Sequence, residues 1–438
     1  MTAGAEAECV DLLVVGAAEV LTCGGTDAGP ARGPAQADVG AVRDGAVAIH
    51  GGQIVEVGAR ARLERAYGRH ARRIVDARGG VVLPGFVDAH THLVFAGDRA
   101  AEWEARMAGV PYLELLARGG GIRSTVRATR AASLETLLLH ARRWLSRAVE
   151  HGTTTLEAKS GYGLERATEL RLLRVIEALR TEVPIELVST FLGAHVVPDE
   201  HRERRDGYLE LLEELHVEIA RTGLAEYVDV FCEQEAFTVD EAERLLRHAA
   251  GLGFGLKLHA EQFTASGAAA LGARLGAVSI DHLEHASEAS CRALGAAARP
   301  PVAVLLPGVA FHLGEERHAP GRALVDAGVP VAIATDFNPG SSFTPSIPAC
   351  IALGARTLGL SVAECIVAAT RNAAHAVGRG ADRGSLVRGR RADVLVCDVP
   401  DHRWLGYSFG WNPVRTVIAG GRVVRDRASA GDTRPAPG

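Results

Sequence analysis

The chain has 438 residues, with 48 Lys and Arg against 53 Asp and Glu and a formal net charge of -5. The two signs are interspersed, so no basic face argues for nucleic acid or an anionic membrane surface, and no apolar run approaches the roughly 18 residues a membrane helix needs. Seven scattered cysteines without a C-x-x-C pair argue against a disulfide framework or a cysteine zinc site. The first residues show no basic region followed by a long apolar core, and the expectation is a soluble, cytoplasmic protein of enzyme size with more than one domain.

From Val10 to about Pro84 short strands with turn signals follow one another: "VDLLVV", "GAVAIHGGQIVEVG" and "RRIVDARGGVVLPG". Between them "CGGTDAGPARGPAQADVG", Cys23 to Gly40, is small, Gly/Pro-rich and reads as an exposed loop. Beyond Gly85 strand-like runs alternate with helical ones. In "SLETLLLHARRWLSRAVEHG" Ser133 can cap the helix, leucines and Trp144 give it an apolar face, and Gly152 stops it. The strand runs are "VDAHTHLVF", "TTTLEAKSGYG", "ELVSTFLGAH", "VDVFCEQEAF", "GLKLHAEQF", "VSIDHLEHA", "VAVLLPGVAF" and "VAIATDFNPG". Eight strands alternating with helices predict an α/β protein with a (β/α)8 TIM barrel, here over residues 85–378. Strands return in "GSLVRGRRADVLVCD" and "NPVRTVIAGGRVV", so residues 1–84 and 379–438 are expected to form one small composite β-sandwich domain. A doubly wound open sheet would want a nucleotide fingerprint; "GLGFGLK" from Gly251 has the wrong glycine spacing and precedes a strand, and reads as a helix-to-strand turn.

In "GFVDAHTHLVFAG" His90 and His92 stand one residue apart, and on a strand residues i and i+2 face the same way. A lone pair of this kind is commonly structural. Barrel enzymes, however, place their active sites at the C-terminal strand ends. There strand five offers His259, strand six His282 and strand eight Asp336. A closed barrel aims all five at one mouth, and three imidazoles with a carboxylate suit Zn2+ or Fe2+. The bland reading, satisfied strand-end histidines and an Asp336 that merely stabilises a turn, requires coincidence at four strand ends.

The strings "GFVDAHTH", "KLHAEQ", "DHLEH", "ATDFNPG", "ATRNAAHAVG" and "GSLVRGRRADVLVCD" together resemble the amidohydrolase superfamily over essentially the whole chain. More narrowly, "FVDAHTHLVFAGDRAAEWEARMAGVPYLELLARGGGI", "AKSGYGL", "TFLGAHVVP" and "ATDFNPGSS" resemble the imidazolonepropionase family of histidine degradation. The resemblance implies a single divalent metal, zinc or iron, with His90, His92, His259 and Asp336 as ligands. It implies substrate contacts at Arg99, Tyr162, His195, Gln262, Asn338, Gly340 and Ser341. Two-metal relatives bridge their ions with a strand-four lysine or carboxylate; strand four here has Glu233 and no lysine, and Glu233 and the strand-two Lys159 are left without a role. Some relatives have Glu where this chain has Gln262, and an amide cannot act as a base.

The reaction implied is hydrolysis of the ring C–N bond of 4-imidazolone-5-propanoate to N-formimidoyl-L-glutamate. Asp336 would move the proton, and His282 would stabilise the oxyanion or steer the water. Arg99 suits the propionate carboxylate. Tyr162, between glycines, is placed on a mobile loop over the mouth, with a core aromatic as the alternative. His195 would touch the substrate ring or carboxylate, and the "NPGSS" turn would hold an anion or carbonyl through its amide, hydroxyl and backbone donors. The expected partner is thus the small-molecule substrate, with no nucleic acid or membrane, and a homodimer fits the resemblance. The alternatives are another mononuclear amidohydrolase or nucleobase deaminase, whose neutral base would leave Arg99 without a partner, and a catalytically inactive barrel scaffold, which should have lost ligands.

Overall fold

The computed structural model describes residues 9–25, 28–110, 114 and 119–427. Part of the "AGVPYLELLARG" string and both extreme ends of the expected sandwich segments lie outside them. The chain opens with β1 (Val10–Val15), β2 (Glu19–Leu21), β3 (Ala41–Arg43), β4 (Gly45–His50), β5 (Gln53–Ala59), β6 (Ala71–Asp76) and β7 (Val81–Pro84). The strands β8 (Phe86–Asp88), β9 (Thr153–Lys159), β10 (Glu186–Ala194), β11 (Tyr227–Cys232), β12 (Gly255–Ala260), β13 (Ser279–His282), β14 (Val302–Leu305) and β15 (Val331–Ile333) form one eight-stranded parallel sheet in sequence order. They are the eight runs read from the sequence. β16 (Val394–Cys397), β17 (Val414–Ala419) and β18 (Arg422–Asp426) complete the chain.

The two ends meet in a six-stranded sheet, order β18-β17-β16-β7-β2-β3, in which β16 runs antiparallel to β7. A four-stranded sheet, order β5-β4-β1-β6, packs against it. Strand alternation sorts the side chains. Val82, Val394, Val396 and Ile418 join Leu12, Val14, Val47 and Ile49 in the core between the sheets. Their neighbours Val81, Leu83, Leu395 and Cys397 turn the other way, into the cluster that includes the barrel.

The helix Leu134–Glu150 bears out its sequence signals. Ser133 Oγ accepts from Thr136 N at 3.1 Å, the buried face is Leu137, Ala141, Leu145 and Ala148, and Gly152 takes φ 95° to turn into β9. Burying a leucine completely, as at Leu137 and Leu145, contributes about 1.5–3 kcal/mol. Likewise Gly251 ends the helix Val239–Gly251 and Gly253 turns at φ 88° into β12.

Two expectations are corrected. The "VAVLLPGVAF" run is not all strand: β14 stops at Leu305, and Pro307 opens a helix to Leu313, where its missing N–H costs nothing and its fixed φ suits the first turn. The Cys23–Gly40 segment is a largely irregular connection, as expected, but in its described part it is only partly exposed. Cys23, Ala31 and Gln36 are buried, and residues 33–37 form a 3-10 turn. Asn372 accepts from Ala31 N at 2.7 Å and donates to Ala31 O at 3.0 Å, while Gln36 Oε1 accepts from Val331 N at 3.1 Å. Small residues here permit close docking against the barrel.

Candidate active site

β8 ends at Asp88, and residues 89–92 continue it to the point where the barrel closes. Asp336 N donates to His90 O at 3.0 Å, His92 N donates to Phe337 O at 2.9 Å, and Thr91 bridges Phe337 in parallel. Below this seam Asp88 accepts from Thr335 N and Thr335 Oγ1 at 3.0 and 2.6 Å. The segments that seal the barrel therefore carry His90, His92 and Asp336, and main-chain bonds fix their spacing. Glu261, His282 and Asp336, at the mouth ends of β12, β13 and β15, have φ of 54°, 79° and 49°, the strained left-handed region that concentrates at functional sites.

The side chains converge as the spacing suggests. His90 and His92 have ring centroids 5.4 Å apart, His90 and His259 4.5 Å, and His92 and His259 5.6 Å. Ring nitrogens of these three lie within 4.8 Å of one another. Asp336 Oδ1 stands 3.4 Å from both His90 Nε2 and His92 Nε2. Two donors held about 2.0–2.1 Å from a tetrahedral ion are about 3.4 Å apart, so the spacing suits Zn2+ or a similar cation. His90 Nε2, His259 Nε2 and Asp336 Oδ1 are buried and make no hydrogen bond among the described residues. Orphaned donor-set atoms facing one point call for an ion. Electrostatics agree. Burial and Lys159 act to lower the His90 pKa, yet Asp281 and Asp336 lift it to about 9, which marks a site short of positive charge. Burial holds His92 and His259 below the ordinary histidine range, neutral and able to donate a lone pair. His282 lies alongside, its ring 5.2 Å from that of His259 and 5.5 Å from that of His90.

A fully buried charged layer underlies these rings, and the sequence reading missed most of it. Asp281 Oδ2 lies 2.6 Å from His90 Nδ1, and Asp229 Oδ2 lies 3.0 Å from His259 Nδ1. Lys159 Nζ is 2.7 Å from Asp229, 2.9 Å from Glu157 and 3.5 Å from Asp281; Lys257 Nζ is 3.1 Å from Glu157. Burial disfavours the Lys159 charge, but Asp229, Glu157 and Asp281 keep its pKa above the ordinary lysine range. With Asp336, the carboxylates here outnumber the two ammonium groups, an excess of buried negative charge that suits a bound cation. A signal was present: charges at alternate positions of wholly buried strands, as in "LEAK" and "LKLH", must pair inside a barrel. Glu233 is placed elsewhere, accepting from Phe263 N at 2.9 Å and from Thr264 Oγ1, so it ties down the loop after β12.

Tyr162 lies on the connection after β9, but as a packed aromatic and not as an exposed cover over the mouth. It is buried, with its ring 5.6 Å from that of His92 and 5.4 Å from that of His195. Buried Glu169 anchors its segment, accepting from Gly161 N at 3.1 Å, Gly163 N at 2.7 Å and Leu164 N at 2.9 Å. Burial pushes the Tyr162 phenol above its ordinary range, as does the Asp336 charge, so it is a neutral donor. His195 stacks on His92 at 5.0 Å, and its Nδ1 is 3.0 Å from Gly161 O. Burial and then His92 depress its pKa to about 3. The neutral ring must donate from Nδ1 to that carbonyl, leaving Nε2 as an acceptor.

Arg99 lies at the mouth with its fork already engaged: Nε donates to Glu102 at 3.1 Å and Nη2 to the other Glu102 oxygen. Its free edge lies over Gly340, where a Cβ would collide with Nη1. In the "NPGSS" turn the donors are largely spent internally. Asn338 Oδ1 accepts from Gly340 N and Ser341 N at 2.7 and 2.8 Å, its amide donates to Asp336 O and Ser341 Oγ at 2.7 and 2.8 Å, and Ser341 Oγ donates to Asp336 Oδ2 at 3.1 Å. The turn thus braces Asp336. Gln262, three residues after His259, is buried.

With this geometry in view the relatives are informative. The sequence model described as "Amidohydrolase family" matches residues 81–424. The imidazolonepropionase of Chloroflexus aggregans is 45% identical over 427 residues, covering 95% of this chain and 99% of the relative. Those of Symbiobacterium thermophilum and Solibacter usitatus are 45% and 46% identical, covering 95% and 92% of this chain and 98% and 96% of theirs. The chain belongs to the imidazolonepropionase family of amidohydrolases. Among solved structures, a zinc-bound adenosine deaminase from Xanthomonas campestris aligns with a TM-score of 0.70 at 20% identity, covering 98% of this chain and 95% of that one. Escherichia coli guanine deaminase aligns at 0.71 and 16%, covering 95% and 99%. At that identity these neighbours attest the fold. Family membership and the buried donor cluster together make this a divalent-metal hydrolase acting on cyclic-amide C–N bonds. Among the described residues no helix is long and apolar enough to cross a membrane.

Proposed function

We propose that the chain hydrolyses 4-imidazolone-5-propanoate to N-formimidoyl-L-glutamate, with His90, His92, His259 and Asp336 holding one divalent ion. The observation that carries this reading is end-to-end similarity to imidazolonepropionases combined with buried donor atoms that share one focus. The all-N/O donor set accepts zinc or iron. When bound, such an ion supplies the charge that brings the pKa of water from 15.7 to about 7. The surrounding residues do the rest. Asp336, with Oδ1 facing the donor focus and Oδ2 braced by Ser341, takes a proton from the attacking water and returns it to the departing ring nitrogen. His282 is within reach to stabilise the oxygen on which negative charge develops. His195 Nε2 accepts from a ring N–H, and Tyr162 donates. Gln262 orients the ring by hydrogen bonding and takes no proton. Arg99 presents its Gly340-facing edge to the propionate carboxylate, which selects against neutral bases.

The test is incubation of the metal-loaded protein with 4-imidazolone-5-propanoate and, separately, with adenine, guanine and cytosine. Loss of the imidazolone absorbance with stoichiometric N-formimidoyl-L-glutamate is expected. Ammonia released from a nucleobase, with the imidazolone untouched, would overturn the assignment.

A further inference from the structure

The mechanism leaves Lys159 unused, although it is fully buried and one of only two lysines in the chain. Its ammonium meets the oxygens that face the two imidazoles. Asp281 Oδ2 is the atom 2.6 Å from His90 Nδ1, and it is also the atom 3.5 Å from Lys159 Nζ. Asp229 Oδ2 is the atom 3.0 Å from His259 Nδ1, and it is also the atom 2.7 Å from Lys159 Nζ. Asp229 is further fixed because its Oδ1 accepts from His259 N at 3.2 Å. Lys159 itself comes from β9, while the aspartates come from β11 and β13 and the histidines from β8's continuation and β12. One point charge thus ties together four segments.

A buried ammonium has three donors and a carboxylate has no tolerance for an unpaired neighbour in low dielectric, so the cluster has few alternative arrangements. His90 Nδ1, bonded to the Asp281 carboxylate, is held protonated with Nε2 free to face a metal, whereas His259 is held by its backbone N–H on Asp229 Oδ1, with Nδ1 at ion-pair distance from Asp229 Oδ2 and no hydrogen bond of its own among the described residues. Fixing both carboxylates from one ammonium correlates the two rings. Glu157 secures Lys159 from the far side, at 2.9 Å, and its other contacts are Thr190 Oγ1 at 2.5 Å and Lys257 at 3.1 Å.

We infer that Lys159 is a positioning residue that orients His90 and His259 together, through Asp281 and Asp229, for cation binding. The inference rests on the reading of those two histidines as ligands. It predicts that Lys159 sets cation affinity without contacting cation or substrate.

The experiment titrates metal-stripped full-length protein with Co2+ against a competing chelator, following the cobalt d–d absorption, which reports ligand geometry independently of turnover. The parent and His259→Ala come first: tight binding in the parent and its loss in His259→Ala support the ligand reading, and parent-like binding in His259→Ala refutes that reading alone. Lys159→Met is then expected to bind Co2+ about 10- to 100-fold more weakly with an altered band, the range for residues that orient metal ligands. Because Lys159→Met leaves carboxylates facing one another, the charge-balanced Lys159→Met/Glu157→Gln is measured beside it, with folding checked by circular dichroism. It is expected to show the same weakened, altered binding. Parent-like affinity and spectrum in either folded variant, with His259→Ala still defective, would overturn the inference. A role confined to stability predicts that outcome: a lower Tm with cobalt binding unchanged.

Discussion

Glu169→Gln probes how the substrate wall of the site is held. The Glu169 carboxylate serves three backbone amides: Oε1 takes Gly163 and Leu164, and Oε2 takes Gly161. Glutamine retains one carbonyl oxygen. Placed toward Gly163 and Leu164, it turns its NH2 on the Gly161 N–H, donor against donor. The change removes a charge-assisted bond and leaves a buried amide unsatisfied, at a cost of about 1–3 kcal/mol. Gly161 O is also the partner of His195 Nδ1, so loosening this residue releases both His195 and Tyr162. Apparent substrate affinity scales with the fraction of molecules whose loop is anchored, and at 1.4 kcal/mol per decade kcat/KM should fall roughly 5- to 150-fold. Initial rates from the decay of imidazolone absorbance, with metal content measured on the same samples, separate this effect from loss of the cation. Parent-like kcat/KM in a folded, metal-loaded Glu169→Gln protein would refute the idea that this anchor places Tyr162 and His195.

Other perturbations address the remaining roles. Asp336→Asn should lower kcat roughly 100- to 10,000-fold, the usual span for a proton-transfer group, and near-normal turnover would remove Asp336 from that step. Arg99→Ala should raise KM about 10- to 100-fold with kcat largely kept, as for loss of a charged contact made equally in ground and transition states. Gly340→Ala should move KM in the same direction, because the new methyl displaces the guanidinium edge; an unchanged KM in both would move the carboxylate site elsewhere. Dialysis against a chelator should abolish activity, and Zn2+ or Fe2+ should restore it; activity that survives complete metal removal would contradict the metal requirement.

The barrel was legible because its strands are short apolar runs at regular spacing, and because His90, His92, His259, His282 and Asp336 recur at their C-terminal ends. Alternation along the strand sufficed to bring His90 toward His92. The charged layer beneath was hidden because pairing inside a barrel is non-local: Lys159 meets Asp229 and Asp281 across 70 and 122 residues. Local composition misled at two places. The glycines around Tyr162 read as flexibility, whereas Glu169 collects the amides they expose. The Gly/Pro-rich Cys23–Gly40 segment read as solvent-exposed, whereas Asn372 and Val331 bind it from more than 290 residues away. Arg99 stands out through the family resemblance, with a fork that suits a carboxylate, yet the local partner that occupies that fork, Glu102, sits only three residues on in the same stretch.

The decisive measurement is anomalous diffraction from crystals of the purified protein, with data collected across the zinc and iron absorption edges. A single strong peak is predicted about 2.0–2.2 Å from nitrogens of His90, His92 and His259 and from a carboxylate oxygen of Asp336. A metal-loaded, active protein whose peak lies away from these four side chains would contradict the account.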